Sequence, residues 1–223
     1  MTSASIGEAS FSSRWACMAA AVVLGFCAAA NACAAPPEGA AVEEPAIVSR
    51  EAWGAAPAKP ELMQEQKPSE IIIHHTGAKQ QPSVSLEVKM RGLQAFSMNP
   101  GRIATLAKPA WGDVVYHYYI DFAGRIAEGR DVAFASDAVT NFDTEDRIQI
   151  ALEGDFEQEQ PAPAQLESLR KLVAWLSFKY GISLESISGH SDHDQTSCPG
   201  RNLKPFVEEL RKDPEPDAAE EKN

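Results

Sequence analysis

The stretch Glu70-Ile-Ile-Ile-His-His75 constrains this chain more than any other. Three consecutive β-branched residues favour a strand, and neighbouring strand side chains point to opposite faces. Isoleucine therefore lies on both faces. A strand that is apolar on both sides belongs inside a covered sheet, the usual setting of parallel strands with helices packed on them. The strand ends in two imidazoles, and the same alternation sends His74 and His75 to opposite sides.

The remaining pattern agrees with a covered sheet. Val84, Val88, Gly92/Leu93 and Phe96 recur at helical spacing and predict a helix over 84–98, ended by Asn99-Pro100-Gly101. Val114 to Ile120 is rich in Val and Tyr and reads as a strand. Asp121-Phe-Ala-Gly124 reads as a hairpin turn into a second strand, Arg125 to Glu128. Ile148 to Glu153 is another strand. Leu166, Leu169, Leu172/Val173, Leu176 and Tyr180 make an amphipathic helix over 164–180, closed by Gly181. A brief strand, Ile187 to His190, and a last helix, Asn202 to Arg211, complete the series. Interleaved strands and helices with a hairpin predict an α/β fold: one domain with a mixed central β-sheet flanked by helices.

Composition bounds the partners and the ends of the chain. The formal net charge is −12 and the pI about 4.9. A chain this acidic lacks the basic surface that nucleic acid requires. Acidic residues concentrate at both ends of the mature part, and residues 48–211 are only mildly acidic. Arg14 precedes an uncharged apolar run, Trp15 to Ala30, followed by small residues, so residues 1–33 read as an export signal. Cys33 closes the run in a way that resembles a bacterial lipoprotein signal; plain cleavage near Ala32 or Ala34 is the alternative. Both place the protein outside the cytoplasm. Residues 34–46 form an acidic Pro/Ala linker, 47–211 the folded domain and 212–223 a polar tail.

Three of the four cysteines lie within the first 33 residues, which leaves Cys198 alone in the domain. The domain therefore has no disulfide framework. A lone thiol in an exported protein is exposed to oxidation, and zinc coordination explains its presence better than chance. The histidines are His74, His75, His117, His190 and His193, all on or just after predicted strands. Two imidazoles and a thiolate suit tetrahedral zinc and leave a fourth position for water. No H-E-x-x-H helix is present.

Five segments then point to one family. They are Ile47-Val-Ser-Arg-Glu-Ala-Trp-Gly-Ala55, Ile71-Ile-Ile-His-His-Thr76, Tyr116-His-Tyr-Tyr-Ile-Asp121 with Gly124-Arg-Ile-Ala-Glu-Gly-Arg130, Ile148-Gln-Ile-Ala-Leu-Glu-Gly-Asp-Phe156, and Gly189-His-Ser-Asp-His-Asp-Gln-Thr-Ser-Cys-Pro-Gly200. Together they resemble the peptidoglycan-recognition-protein and phage amidase-lysozyme family of N-acetylmuramoyl-L-alanine amidases. The resemblance implies a Zn2+ ion held by His74, His190 and Cys198. It implies Tyr116 as a catalytic tyrosine beside the ion, and Thr196 as a second hydroxyl near the reacting carbonyl. The implied substrate is peptidoglycan or a muropeptide, cleaved between N-acetylmuramic acid and L-alanine. The implied enzyme is a monomer of the bacterial envelope, periplasmic, lipid-anchored at Cys33 or secreted. A non-catalytic peptidoglycan-binding module of the same fold is the rival reading. The sequence departs from the family pattern at Ser136, where relatives often carry histidine. It departs again at Arg147-Ile-Gln-Ile150, which replaces Ser-Ile-Gly-Ile.

Overall fold

The computed structural model describes residues 42–212. The export signal, Cys33, most of the linker and nearly all of the polar tail lie outside the described residues. In chain order the main elements are β1 (Ile47–Val48), α1 (Arg50–Trp53), β2 (Glu70–His75), α2 (Leu86–Met98), β3 (Gly101–Ile103), β4 (Leu106–Lys108), β5 (Tyr118–Ile120), β6 (Ile126–Glu128), β7 (Arg147–Leu152), α3 (Pro163–Tyr180), β8 (Ile187–Gly189) and α4 (Lys204–Leu210).

Among the described residues, six strands form one sheet in the order β1-β6-β5-β7-β2-β8. β2 lies between β7 and β8 and is parallel to both, with Ile73 opposite Ile150 and His74 opposite Ala151. β5 and β6 form the expected antiparallel hairpin, so the sheet is mixed. Helices cover both faces. Ile71, Ile73, Ile148, Ile150 and Leu152 pack with Leu169, Leu172, Val173 and Leu176 of α3 and with Val207 and Leu210 of α4. Trp53, Leu86, Met90, Tyr119, Ala127 and Ala151 form a smaller cluster on the opposite face, under α1 and α2. α3 carries Pro163 at its first turn and ends at Gly181, whose φ of 66° is the left-handed conformation that glycine adopts without strain.

Three features differ from the sequence expectation. Val114 to His117 is not strand; regular pairing starts at Tyr118. The buried guanidinium of Arg130 explains this, because Nε donates to Val114 O at 2.9 Å and Nη2 to Asp113 O at 3.3 Å. Carbonyls bound to a side chain are withdrawn from a strand ladder. α2 forms, with Ser85 as its N-cap, but buries a different stripe from the one the apolar spacing indicates. Leu86, Met90, Gln94 and Ser97 face inward, while Val88 and Phe96 are 51% and 45% exposed. Gln94 tolerates burial because its amide is fully engaged, with Ala56 N, Ala56 O and Asp113 Oδ1 at 2.7–3.0 Å. The β3–β4 hairpin follows α2 and was not foreseen from the sequence pattern.

Candidate metal centre and substrate groove

β2 delivers His74 to the α2 side of the sheet, at the carboxyl end of the strand. β8 runs parallel beside it and leads directly into a short 3-10 turn, His190–Asp192, which carries the second imidazole to the same end. The chain then loops back. His75 N donates to Cys198 Sγ at 3.4 Å, and Ser191 N donates to Cys198 O at 2.7 Å. The thiol is thereby held beside His74, with Sγ 3.5 Å from Nδ1. The His74 and His190 rings are 4.7 Å apart. One ligand atom from each of His74, His190 and Cys198 lies within 4.8 Å of the others.

Burial sets the protonation of this cluster. Desolvation, with the neighbouring His190 adding to it, lowers the His74 pKa to about 3. His190 is lowered as well, chiefly by burial. Both imidazoles are thus neutral at pH 7 and carry a free lone pair. Burial pushes the Cys198 thiol up to about 12, against the opposing effect of the His75 N–H. An ion entering here must displace the thiol proton, which thiolate-binding metals do.

The residues fit a metal. His190 Nε2 is buried and has no hydrogen-bond partner, and the nearest carboxylate oxygen, on Asp194, stands 3.9 Å away. An unpaired buried imidazole nitrogen beside a second imidazole and a thiol is the donor set that zinc prefers. Cys198 forms no disulfide, and His75 and His117 are committed elsewhere. His75 Nδ1 accepts from Phe156 N at 3.1 Å on the far side of β2. His117 is wholly buried: Nδ1 accepts from Gln149 N at 2.8 Å, and Nε2 lies 2.9 Å from Phe134 O. His193 is exposed on the loop after β8, with Nε2 2.7 Å from the hydroxyl of the buried Ser188.

Tyr116 stands over His74 with ring centroids 5.4 Å apart. Its position follows from three of the sequence segments together. Trp53 Nε1 donates to Glu128 O at 2.7 Å, and Arg50 donates to Gly129 O and pairs with Asp113 at 2.8 Å. Glu128-Gly-Arg130 is thereby fixed, and Arg130 N donates to Tyr116 O at 2.9 Å. A Cβ on Gly129 would come within 2.1 Å of that same carbonyl oxygen, so only glycine fits there. Burial raises the Tyr116 pKa, which keeps its hydroxyl protonated at neutral pH. Thr196 lines the same cavity; its Oγ1 accepts from Cys198 N at 3.2 Å and shapes the turn into the cysteine. Ser136, also in the wall, donates to Val115 O at 2.5 Å.

The cluster lies in a groove of about 560 Å³ whose walls include Trp111, Tyr116, Phe142 and the exposed Phe96. Phe142 was not singled out by any sequence motif, yet its ring is 4.2 Å from that of His190. Gln149 departs from the family's Ser-Ile-Gly-Ile pattern, and its Oε1 is 2.5 Å from His74 Nε2. A polar residue alternating with isoleucines in a doubly covered strand is the signal that marks it.

Comparison with known proteins gives the family and supports the fold. The family described as N-acetylmuramoyl-L-alanine amidase matches residues 64–201, and the chain belongs to that family. Peptidoglycan-recognition protein SD of Drosophila simulans is 27% identical over 167 residues, covering 73% of this chain and 84% of the relative. Human N-acetylmuramoyl-L-alanine amidase is 26% identical over 166 residues, covering 71% of this chain and 27% of that longer protein. Among solved structures, the amidase LysC from Clostridium intestinale superposes with a TM-score of 0.54 at 27% identity, covering 76% of this chain and 97% of that one. Drosophila PGRP-LB superposes with a TM-score of 0.60 at 26% identity, covering 73% and 92%.

Proposed function

We propose that this protein is a zinc-dependent amidase that cleaves the bond between N-acetylmuramic acid and L-alanine of peptidoglycan stem peptides. The observation that carries this reading is the convergence of His74, His190 and Cys198 in the lining of one groove, with the Tyr116 ring beside that of His74. The three ligands leave a coordination position for reaction rather than closing a structural site. When bound, zinc supplies Lewis acidity toward a carbonyl and lowers the pKa of water in the site.

The chain's own residues supply the rest. Neutral His74 and His190 each offer a lone pair on one ring nitrogen, so binding an ion requires neither to lose a proton. The protonated Tyr116 hydroxyl donates to the oxygen that becomes negative as water adds to the lactyl carbonyl. Thr196 offers a second hydroxyl on the same wall. The C–N bond then breaks and the alanine nitrogen leaves with a proton from water. Trp111 and Phe142 give the groove apolar walls that hold a substrate and limit stray water. A muramyl-peptide substrate accords with human PGRP-IBETAC, solved in complex with glycosamyl muramyl pentapeptide and 25% identical to this chain with a TM-score of 0.61.

The test is incubation of zinc-loaded protein with purified muropeptides, followed by mass analysis. Free peptide and free glycan are expected. Binding without cleavage in the presence of bound zinc would instead make the protein a recognition module. We also place the enzyme in the bacterial envelope, on the strength of the export signal and Cys33. If Cys33 carries the anchor, Cys33→Ala should move the protein from the membrane to the soluble envelope fraction with activity intact. A wild-type protein that is already soluble would refute the anchor.

A further inference from the structure

We infer that Gln149 is the positioning residue that holds His74 in its metal-binding tautomer. The inference rests on the zinc reading above. Gln149 lies on β7, in the strand next to β2, and is 1% exposed. Its Oε1 is 2.5 Å from His74 Nε2, and the other ring nitrogen, Nδ1, faces the Cys198 sulfur. An amide oxygen can only accept, so this contact requires the imidazole proton on Nε2. The lone pair then resides on Nδ1, the nitrogen that faces the Cys198 sulfur. With the proton on Nδ1 instead, His74 would point N–H at the site and could not ligate.

The rest of Gln149 shows that the contact is its distinctive task. Gln149 Nε2 is buried without a partner. A buried donor left unpaired is a net cost to stability. Leucine at this position would fill similar space with no unpaired group, so it should leave the fold intact and remove only the hold on His74. The backbone on either side is independent of the amide: Gln149 N donates to His117 Nδ1, and Gln149 O accepts from His117 N at 2.9 Å. Partners of this kind on a ligating histidine are worth roughly 10–100-fold in metal affinity. The position is also one where the sequence departs from the family's Ser-Ile-Gly-Ile pattern, so glycine there could make no such contact.

The experiment measures zinc affinity of the full chain by chelator competition for wild type, Gln149→Leu and Gln149→Glu. It also records the imidazole nitrogen shifts of His74 by NMR in the metal-free protein. Gln149→Leu should bind zinc 10–100-fold more weakly, with its unfolding temperature unchanged or raised, and His74 should lose its fixed Nε2–H tautomer. Gln149→Glu keeps an acceptor of the same reach and should restore both the tautomer and the affinity. Equal zinc affinity in wild type and Gln149→Leu would overturn the inference, as would a Glu variant no better than the Leu variant. A wild type that binds no zinc at all would overturn the proposed function itself, which is a distinguishable result.

Discussion

The two faces of the central sheet divide the work of this protein. The face under α3 and α4 is hydrocarbon, built by Ile71, Ile73, Ile148, Ile150 and Leu152 against the leucines of α3. The face under α1 and α2 has a smaller apolar cluster and, at the carboxyl ends of β2 and β8, the imidazole and thiol groups. Both faces are served by the same strands. β2 sends Ile71 and Ile73 one way and His74 the other, so the ligand is anchored by packing in which it takes no part. Polar groups on the α2 side are nearly all bonded: Gln94, Asp113, Arg130 and His117 each hold backbone or side-chain partners. Among the described residues, the buried side-chain atoms without a hydrogen-bond partner are the hydroxyls of Ser97 on α2 and Ser177 on α3, and two nitrogens of the site, His190 Nε2 and Gln149 Nε2. One face stabilises, and the other carries two unpaired nitrogens where the imidazoles and the thiol converge.

That division should show in mutants. The largest effect is expected for Cys198→Ser, which removes the thiolate and should abolish zinc binding and hydrolysis. The metal-free protein should unfold at nearly its usual temperature, because the buried thiol is protonated there and serine is close to isosteric. Full zinc occupancy in this variant would sink the ligand assignment.

On the opposite face, Leu172→Ala should cost about 2–5 kcal/mol of stability through lost burial and a cavity. Zinc affinity of the folded fraction should not change. Urea denaturation alongside chelator competition measures both, and a parallel loss of affinity would show that the faces are not independent.

Tyr116→Phe keeps the ring over His74 and removes only the hydroxyl. Its kcat should fall roughly 10²–10³-fold, equivalent to about 3–4 kcal/mol, with zinc retained. An unchanged rate would leave Tyr116 as a packing residue.

The smallest effect concerns acid. Burial lowers the His117 pKa from 6.5 to about 4, with a hydrogen bond from its ring to Phe134 O opposing the shift. Between those values the unfolded chain binds a proton that the folded protein does not. Stability from this group is therefore complete above pH 6.5 and is lost as pH falls toward 4, by at most about 3 kcal/mol. His117→Gln should be less stable than wild type at pH 7, and the gap should narrow at pH 4.5. Comparing the two proteins cancels the carboxylates and His74, which titrate in both. A gap that stays constant with pH would contradict the shift.

The strands and helices that were legible in advance are those in which neighbours along the chain carry the whole signal. Ile71 to Ile73 reads as a buried strand because three branched residues have few alternatives, and α3 reads as a helix because its leucines recur with the helical period and Gly181 ends them. α2 was legible as a helix but not in its orientation. Its apolar stripe, Val88 and Phe96, lies toward solvent and the groove, since Gln94 finds Ala56 and Asp113 only after folding. The late start of β5, at Tyr118 rather than Val114, was hidden for a similar reason, because the side chains of Arg130 and Ser136 take the carbonyls of Asp113, Val114 and Val115 from later segments.

For the site, the amino-acid sequence by itself determined the inventory: two histidines and a cysteine with the spacing of an amidase, a tyrosine in the Tyr-His-Tyr-Tyr segment, and the residues that brace it. Residue types and their spacing are properties of the chain, and they limit what chemistry is available. Only the tertiary structure decided which nitrogen of His74 faces Cys198, that Phe142 lies against His190, and that Gln149 contacts the ligand at all. Those relations depend on the parallel register of β7 against β2 and on a loop that returns from β8. The contacts of His74 with Gln149 and Cys198 join residues 75 and 124 positions apart, separations that no local period along the chain encodes.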